Sequence, residues 1–106
     1  MLGELEQLVL LAVLRTDGDA YGVPIRAELV ARTGRDVPLG SVYNALARLE
    51  EKGLVTSAVG DPTPERGGKG RRYVKLEAEG ARALREARQA AEQMWRGLDP
   101  ARLRTQ

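Results

Sequence analysis

The feature that most constrains the fold is the segment 37–55, which reads VPLGSVYNALARLEEKGLV. Apolar residues recur in it at the three- and four-residue spacing that places side chains on one face of a helix. They are Val42, Ala45, Leu46 and Leu49. The other face carries short polar groups, one aromatic ring and two cations, namely Ser41, Tyr43, Asn44, Arg48 and Lys52. The segment therefore predicts a helix that is packed by one face and offers hydrogen-bonding groups and positive charge on the other.

A shorter helical pattern precedes this segment, from about Tyr21 to Thr33. Pro24 falls in its first turn, where a missing backbone N–H costs nothing, and Gly34 marks its end. Two helices joined by a short loop, the second with a polar exposed face, are typical of a helix-turn-helix.

The sequence beyond this pair predicts a β-hairpin. Residues 54–59 (LVTSAV) and 71–76 (RRYVKL) are compatible with strands, and residues 60–70 between them are rich in Pro and Gly. Period-two alternation places Val74 and Leu76 on one face of the second strand and Arg71, Tyr73 and Lys75 on the other. A basic hairpin directly after a helix-turn-helix is a wing. The predicted fold class is therefore mainly α with a small β-hairpin (α+β), a winged helix-turn-helix followed by a long C-terminal helix.

Residues 4–15 (ELEQLVLLAVLR) predict a helix that is apolar on nearly every side. Such a helix is buried from several directions, and a chain of 106 residues builds only a small core of its own. We therefore expect this first helix to contact a second subunit. The alternative is a central helix inside a single monomer.

A long helix is predicted from Glu77 to about Gly97, with apolar residues repeating as in a coiled-coil seam. Because this seam contains Ala where a strong zipper has Leu or Ile, we expect it to pack against the first helix of a partner; the alternative is folding back onto its own domain. The predicted dimer-interface residues are Leu5, Leu8, Ala12, Leu84, Ala87, Ala91, Met94 and Leu98. The predicted organisation is a DNA-binding domain over 1–76, a dimerisation helix over 77–99 and a flexible tail over 100–106.

Composition argues against several classes of function. The chain has no Cys and no His, which removes thiolate metal sites, disulfides, the commonest imidazole ligand and the usual general base. We therefore expect no enzyme, no metal site and no cofactor. Seventeen Lys and Arg against 15 Asp and Glu, with a pI near 9.3, weakly indicate a nucleic-acid partner. Neither a signal peptide nor a membrane-spanning run is evident, so a cytoplasmic protein is expected.

Two residues of the polar helix face have side chains suited to reading bases. Asn44 and Arg48 lie one turn apart, and in the major groove Asn pairs with adenine and Arg with guanine. The alternative is an ordinary solvated face on which Arg48 pairs with Glu50 or Glu51.

Other candidates would contact the DNA backbone. Ser41 can donate its hydroxyl to a phosphate, or it can cap the helix. Tyr43 offers its phenol to a phosphate, or it packs half-buried with the hydroxyl outward. Cations are concentrated around the glycines of the predicted wing, at Arg66, Lys69, Arg71 and Arg72. They can follow a phosphate strand or enter a narrow minor groove, whereas a solubilising loop is the alternative.

Trp95 is the one residue that points to a ligand. Two symmetry-related indoles near Met94 could clamp a flat, apolar molecule across a two-fold axis. The favoured alternative is a Trp that fills the dimer core, because aromatic residues dominate interface packing.

These motifs together resemble the PadR family of bacterial transcriptional regulators over nearly the whole chain. The similar segments are LGELEQLVLLAVL at 2–14, AYG at 20–22 with Ile25, LGSVYNALARLEEKGLV at 39–55 and ERGGKGRRYVKL at 65–76. The resemblance implies a dimeric repressor of nearby genes, sometimes released by a small molecule, whose C-terminal helix supplies most of the dimer interface. Its single C-terminal helix is similar to the short branch of the family. The chain departs from the family pattern at Val74, commonly Tyr, and at Glu77, usually Thr.

The expected function is thus that of a dimeric, sequence-specific DNA-binding transcriptional regulator, in particular a repressor. Its expected partners are double-stranded DNA and a second copy of the chain, with a small hydrophobic effector at the dimer interface as a candidate ligand. The alternative is a winged-helix module that binds protein or RNA without ligand control.

Overall fold

The structure, a computed structural model, describes residues 2–60 and 71–103. Its elements in chain order are α1 (Glu4–Arg15), α2 (Gly22–Thr33), α3 (Leu39–Glu51), β1 (Val55–Val59), β2 (Arg72–Leu76) and α4 (Ala78–Trp95), with a short 3₁₀ helix at Pro100–Leu103. Four helices and an antiparallel hairpin confirm the predicted fold class. Most of the region predicted as the wing's turn lies outside the described residues.

The helix pair α2–α3 begins and ends where the local chemistry requires it. Pro24 lies in the first turn of α2, and Gly34 ends that helix at φ +71°, with its N–H donating to the Val30 carbonyl over 2.9 Å. This left-handed conformation costs glycine little, since it has no Cβ. Pro38 precedes α3 in an extended conformation, as proline favours at a helix start.

The core lies where α1, α2 and α3 meet under the hairpin. The apolar face predicted for α3 is buried in it, which confirms that periodicity. The largest fully buried side chains are Leu10, Ile25, Leu49, Val9, Val42 and Val55. Each fully buried aliphatic side chain of this size contributes about 1.5–3 kcal/mol relative to its exposed state, so this cluster fixes α3 firmly against α1.

The hairpin pairs its two strands from Val55 opposite Leu76 to Val59 opposite Arg72. Val74 and Leu76 pack against the core, as the alternation predicts. In addition, the Val74 N–H donates to the Ala20 carbonyl over 2.7 Å, which joins β2 to the loop between α1 and α2. The hairpin is therefore anchored on both its strands rather than by β1 alone.

The first helix has a buried side and a half-exposed side. Val9, Leu10 and Val13 are buried, whereas Leu11 and Leu14 are about half exposed. Ala12, predicted at a dimer interface, lies in the chain's own core with 3% of its surface exposed, so it has almost nothing to offer a partner. Ala12 lies on the side of α1 that packs against α2, a contact that the sequence pattern could not assign to either subunit.

The last long helix is attached at its N-terminal end and projects from the domain at its other end. The Glu77 N–H donates to the Leu54 carbonyl over 2.9 Å, and Gly80 is buried against the same carbonyl. Leu84 still packs against the core, but every residue of α4 from Arg88 onward is exposed. Beyond α4, the Asp99 carboxylate accepts the Ala101 N–H at the short 3₁₀ helix Pro100–Leu103, which lies within the predicted tail.

Candidate nucleic-acid interface

The outer face of α3 is open to solvent along its length. Tyr43, Asn44 and Arg48 are exposed, and Asn44, Arg48 and Lys52 follow one another at four-residue spacing along one stripe. Ser41 is partly exposed and lies in the first turn, but it does not cap the helix, which starts earlier, after Pro38. Within the described chain, the Ser41 and Tyr43 hydroxyls and the Asn44 amide have no hydrogen-bond partner. These polar groups are therefore available to a ligand.

Tyr43 combines both of the roles considered for it. Its ring lies directly on Gly22 at the start of α2, since a Cβ built at Gly22 would be 2.5 Å from the Tyr43 ring. The side chain nevertheless remains 51% exposed. The Cε1–Cζ edge of the ring and the hydroxyl oxygen thus lie against the start of α2, and about half of the residue's surface stays accessible.

Arg48 is paired, but not with the acidic neighbours that the sequence suggested. Its Nε lies 3.6 Å from the Oε2 of Glu6 in α1, and the Lys52 Nζ donates to both carboxylate oxygens of Glu6 over 2.8 and 2.9 Å. The Gly3 N–H donates to the same carboxylate over 2.7 Å. Because 51% of the Arg48 side chain is exposed, the pairing orients its guanidinium without enclosing it.

Glu6 is the only buried charged residue in the described chain, with 4% of its surface exposed. The hydrogen bond from Lys52 is the largest influence on it and lowers the pKa of its carboxyl, aided by the Gly3 N–H and opposed by burial. The apolar pattern of α1 does not by itself single out this residue. The sequence feature that could have identified Glu6 is a carboxylate at the third position of a largely apolar helix. There the carboxylate can accept the backbone N–H of the residue that precedes the helix.

The base of the wing is joined to α3 through side chains. Arg72 in β2 donates to the Ser57 hydroxyl over 2.9 Å, and Ser57 in turn donates to the Glu50 carboxylate near the end of α3. These exposed bonds place a cation beside the outer face of α3. Arg72 therefore lies next to α3, the helix proposed to read DNA.

Arg71 is held differently, by aromatic rings. Its guanidinium lies 4.2 Å from the centroid of the Tyr21 ring, and Tyr21 meets Tyr73 edge-on at a centroid distance of 5.6 Å. A cation stacked on a ring keeps its N–H groups free for anions. The other two wing candidates, Arg66 and Lys69, lie outside the described residues.

The residues predicted at the dimer interface differ in how much surface they expose. Leu5, Leu8 and Leu84 are partly covered by the chain's own core, and Ala87 is partly exposed. Ala91, Met94 and Leu98 are exposed, Met94 at 78%. Trp95, the candidate ligand contact, is 48% exposed at the end of α4. Three large apolar side chains in the last turn and just beyond it are thus uncovered in the single chain.

A largely apolar groove separates the start of α1 from the middle of α4. Its lining includes Leu2, Gln7, Lys52, Leu54, Ala83 and Ala87. The groove therefore reaches from the middle of α4 to Lys52 at the end of α3. Across the described ranges, none of the helices is both long and apolar enough to span a bilayer.

Comparisons with known proteins agree with this geometry. The model of the transcriptional regulator PadR-like family matches residues 10–86. A PadR family transcription regulator from hypervirulent Clostridium difficile R20291 is 29% identical, with a TM-score of 0.63 over 89% of this chain and 88% of that one. F93 from STIV, a winged-helix DNA-binding protein, is 16% identical with a TM-score of 0.64 over 92% and 98% of the two chains, a likeness of fold alone.

A further neighbour is BpsR from Bordetella bronchiseptica, whose DNA binding is regulated by 6-hydroxynicotinic acid. It is 25% identical, with a TM-score of 0.55 over 94% of this chain and 66% of that one. A comparison with curated proteins gave no match.

Proposed function

Because the chain belongs to the PadR-like family of transcriptional regulators, we propose that it is a sequence-specific repressor that binds duplex DNA as a homodimer. The observation that carries this proposal is the open outer face of α3. Tyr43 and Asn44 present unpartnered polar groups there, and Arg72 places a cation at its edge. An α-helix with such a face fits the major groove of B-DNA.

In this proposal, some side chains contact base edges and others contact the DNA backbone. Asn44 reads a base edge, and Arg48 reads a second one if DNA draws its guanidinium away from Glu6. Ser41 and Tyr43 contact the backbone through their hydroxyls, together with the N–H groups at the start of α3. Arg71 and Arg72, with Arg66 and Lys69 further along the wing, neutralise phosphates.

The dimer is supported by the exposed apolar residues of α4. Three large apolar side chains are exposed near the end of this helix, those of Met94, Trp95 and Leu98. A cluster of this kind marks an interaction surface rather than isolated surface residues. A second copy of α4 and of the half-exposed side of α1 would cover them. A two-fold dimer presents two α3 helices to half-sites about one helical turn apart.

We propose further that a small molecule releases the protein from DNA. Trp95 is half exposed beside Met94, and a neighbour of similar fold responds to 6-hydroxynicotinic acid, a flat aromatic molecule. A flat apolar molecule between two Trp95 rings would displace the α4 helices and thereby the two α3 helices. The single Trp provides the signal for a titration with a panel of planar aromatic compounds, and its quenching should coincide with loss of DNA binding.

The deciding experiment is selection of bound duplexes from a random pool by the full chain. We expect enrichment of a palindromic motif, because a two-fold protein reads two equivalent half-sites. Competition by duplex RNA of the same sequence should be weak. Enrichment of no motif, or equal competition by RNA, would overturn the proposed function in favour of a winged-helix module that binds protein or RNA.

A further inference from the structure

The buried carboxylate of Glu6 forms the link between α1 and the end of the candidate reading helix. It accepts hydrogen bonds from the Gly3 N–H and from the Lys52 ammonium, and it lies 3.6 Å from the Arg48 guanidinium. Both cations belong to the stripe on α3 that begins with Asn44. The stripe of candidate DNA contacts on α3 therefore ends at the Glu6 carboxylate, an anion that belongs to the same chain.

We propose that Glu6 is a positioning residue for DNA recognition, which holds Lys52 and Arg48 at the end of α3 and so limits sequence-independent binding to phosphates. This inference rests on the proposed function and adds a determinant of specificity that does not itself contact DNA. Lys52 is held by both oxygens of Glu6 and is withheld from phosphate. Arg48 lies farther from the Glu6 carboxylate than Lys52 does, but it is still oriented by it. Only a hydrogen-bond acceptor in a suitable position draws its guanidinium away.

The burial of Glu6 makes this arrangement effective. A carboxylate on a side chain that is only 6% exposed cannot turn to water to release its partners, and the strength of a charge pair rises as water is excluded. Lys52 and Arg48, in contrast, keep 39% and 51% of their side chains exposed. Either cation can therefore turn outward once the carboxylate is neutral. The lowered pKa of Glu6 keeps that carboxylate charged throughout the physiological range.

The test is the salt dependence of DNA binding by Glu6→Gln. The amide preserves the shape and can still accept the Gly3 N–H, but it no longer holds the two cations by charge. For each released cation that reaches a phosphate, the slope of log K against log salt should steepen by about 0.9. Affinity for a scrambled duplex at 0.1 M salt should rise by up to about eightfold for each such cation. The ratio of affinities for the selected and scrambled duplexes should fall.

A second variant identifies the released cation. In Glu6→Gln/Lys52→Met the slope should be shallower than in Glu6→Gln by about 0.9, whereas Lys52→Met alone should leave the wild-type slope unchanged because Glu6 already withholds that ammonium. The double variant buries no unpaired charge, so it serves as the test if Glu6→Gln is poorly folded. In that case the selected-to-scrambled ratio of the double variant should still be below wild type, because Arg48 is no longer oriented.

Glu51→Gln is the matched control. It removes one negative charge from the same end of α3, and Glu51 is exposed and pairs with no cation in residues 2–60 and 71–103. Its slope should stay near wild type. A Glu6→Gln protein that is less stable but binds with wild-type slope and wild-type ratio overturns the inference and leaves the proposed function intact. A wild-type protein that selects no duplex overturns both.

Discussion

Tyr43 of α3 lies with its ring directly over Gly22 of α2, so close that a β-carbon at Gly22 would be 2.5 Å from the ring. The absence of a side chain at Gly22 thus creates the place where an exposed aromatic residue of α3, the proposed reading helix, is held. Because the Cζ atom and the hydroxyl oxygen lie against Gly22, the position of the hydroxyl is fixed relative to α2. The two residues belong to the two helices of the helix-turn-helix, and their contact is specific to that arrangement.

Gly22→Ala should displace the Tyr43 ring and weaken DNA binding. The added methyl overlaps the far end of the Tyr43 side chain, which can rotate away. The free energy of unfolding should therefore fall by an amount near the lower end of the range of about 1–3 kcal/mol typical of overpacking. Stability is measured by urea unfolding and affinity by titration of the selected duplex. In a Tyr43→Ala background the glycine substitution should cost nothing further; an equal cost there would contradict the contact.

Asn44→Ala should lower specificity rather than general affinity. Loss of a bidentate contact to adenine reduces the discrimination between the selected and a scrambled duplex by about 1–3 kcal/mol. Arg71→Ala, which removes a phosphate contact, should weaken both duplexes alike and make the salt slope shallower by about 0.9. Titrations of both variants at three salt concentrations separate these outcomes. An unchanged ratio in Asn44→Ala would remove that residue from base reading.

Met94→Glu should shift the proposed dimer toward monomer. The substitution places a charge among the exposed apolar residues of α4, where a partner helix would have to bury it without a pairing group. Sedimentation equilibrium gives the dimer dissociation constant, and DNA affinity should fall with it because two linked half-site contacts become one. Gln93→Glu adds the same charge one residue away, outside the apolar seam, and should leave the dimer largely unaffected.

Gly80→Ala should destabilise the junction between the DNA-binding domain and α4. A β-carbon at this position would lie 2.3 Å from the Leu54 carbonyl oxygen, a backbone atom that cannot rotate away. We expect a loss of about 1–3 kcal/mol in the free energy of unfolding, since the helix must shift to relieve the overlap. Gln89→Ala, on the exposed part of α4, is the control for the change in helix composition. A junction that tolerates alanine without loss would show that α4 is not seated on this carbonyl.

Acidification should remove the contribution that Glu6 makes to stability. Its folded-state pKa lies below the ordinary value of 4.5, so the charged form is favoured by folding. That contribution is fully present above pH 4.5 and is lost as the pH falls through the lowered folded-state pKa. The difference in free energy of unfolding between wild type and Glu6→Gln, measured in urea from pH 7 to pH 3, should therefore shrink below pH 4.5. A constant difference would show that the carboxylate charge does not contribute.

Several features of this protein follow from the order of its residues alone. The periodicity of Val42, Ala45, Leu46 and Leu49 predicts which face of α3 is buried, because spacing along a helix determines which side chains share a face. The period-two alternation in β2 and the helix boundaries at Gly34 and Pro38 also depend only on neighbouring residues. Together these local patterns suffice to predict the winged fold. Local geometry operates over a few residues, so the sequence expresses it directly.

Tertiary structure decided how the exposed groups are partnered. Arg48 was predicted to read a base, with pairing to Glu50 or Glu51 as the alternative, but packing brings Glu6, more than forty positions away, to the end of α3 and supplies the anion from α1. Ala12, a candidate interface residue, lies in the chain's own core on the side of α1 that packs against α2. Such contacts depend on how helices lie across one another, and a sequence pattern carries the period of each helix but not the angle or the distance between two of them.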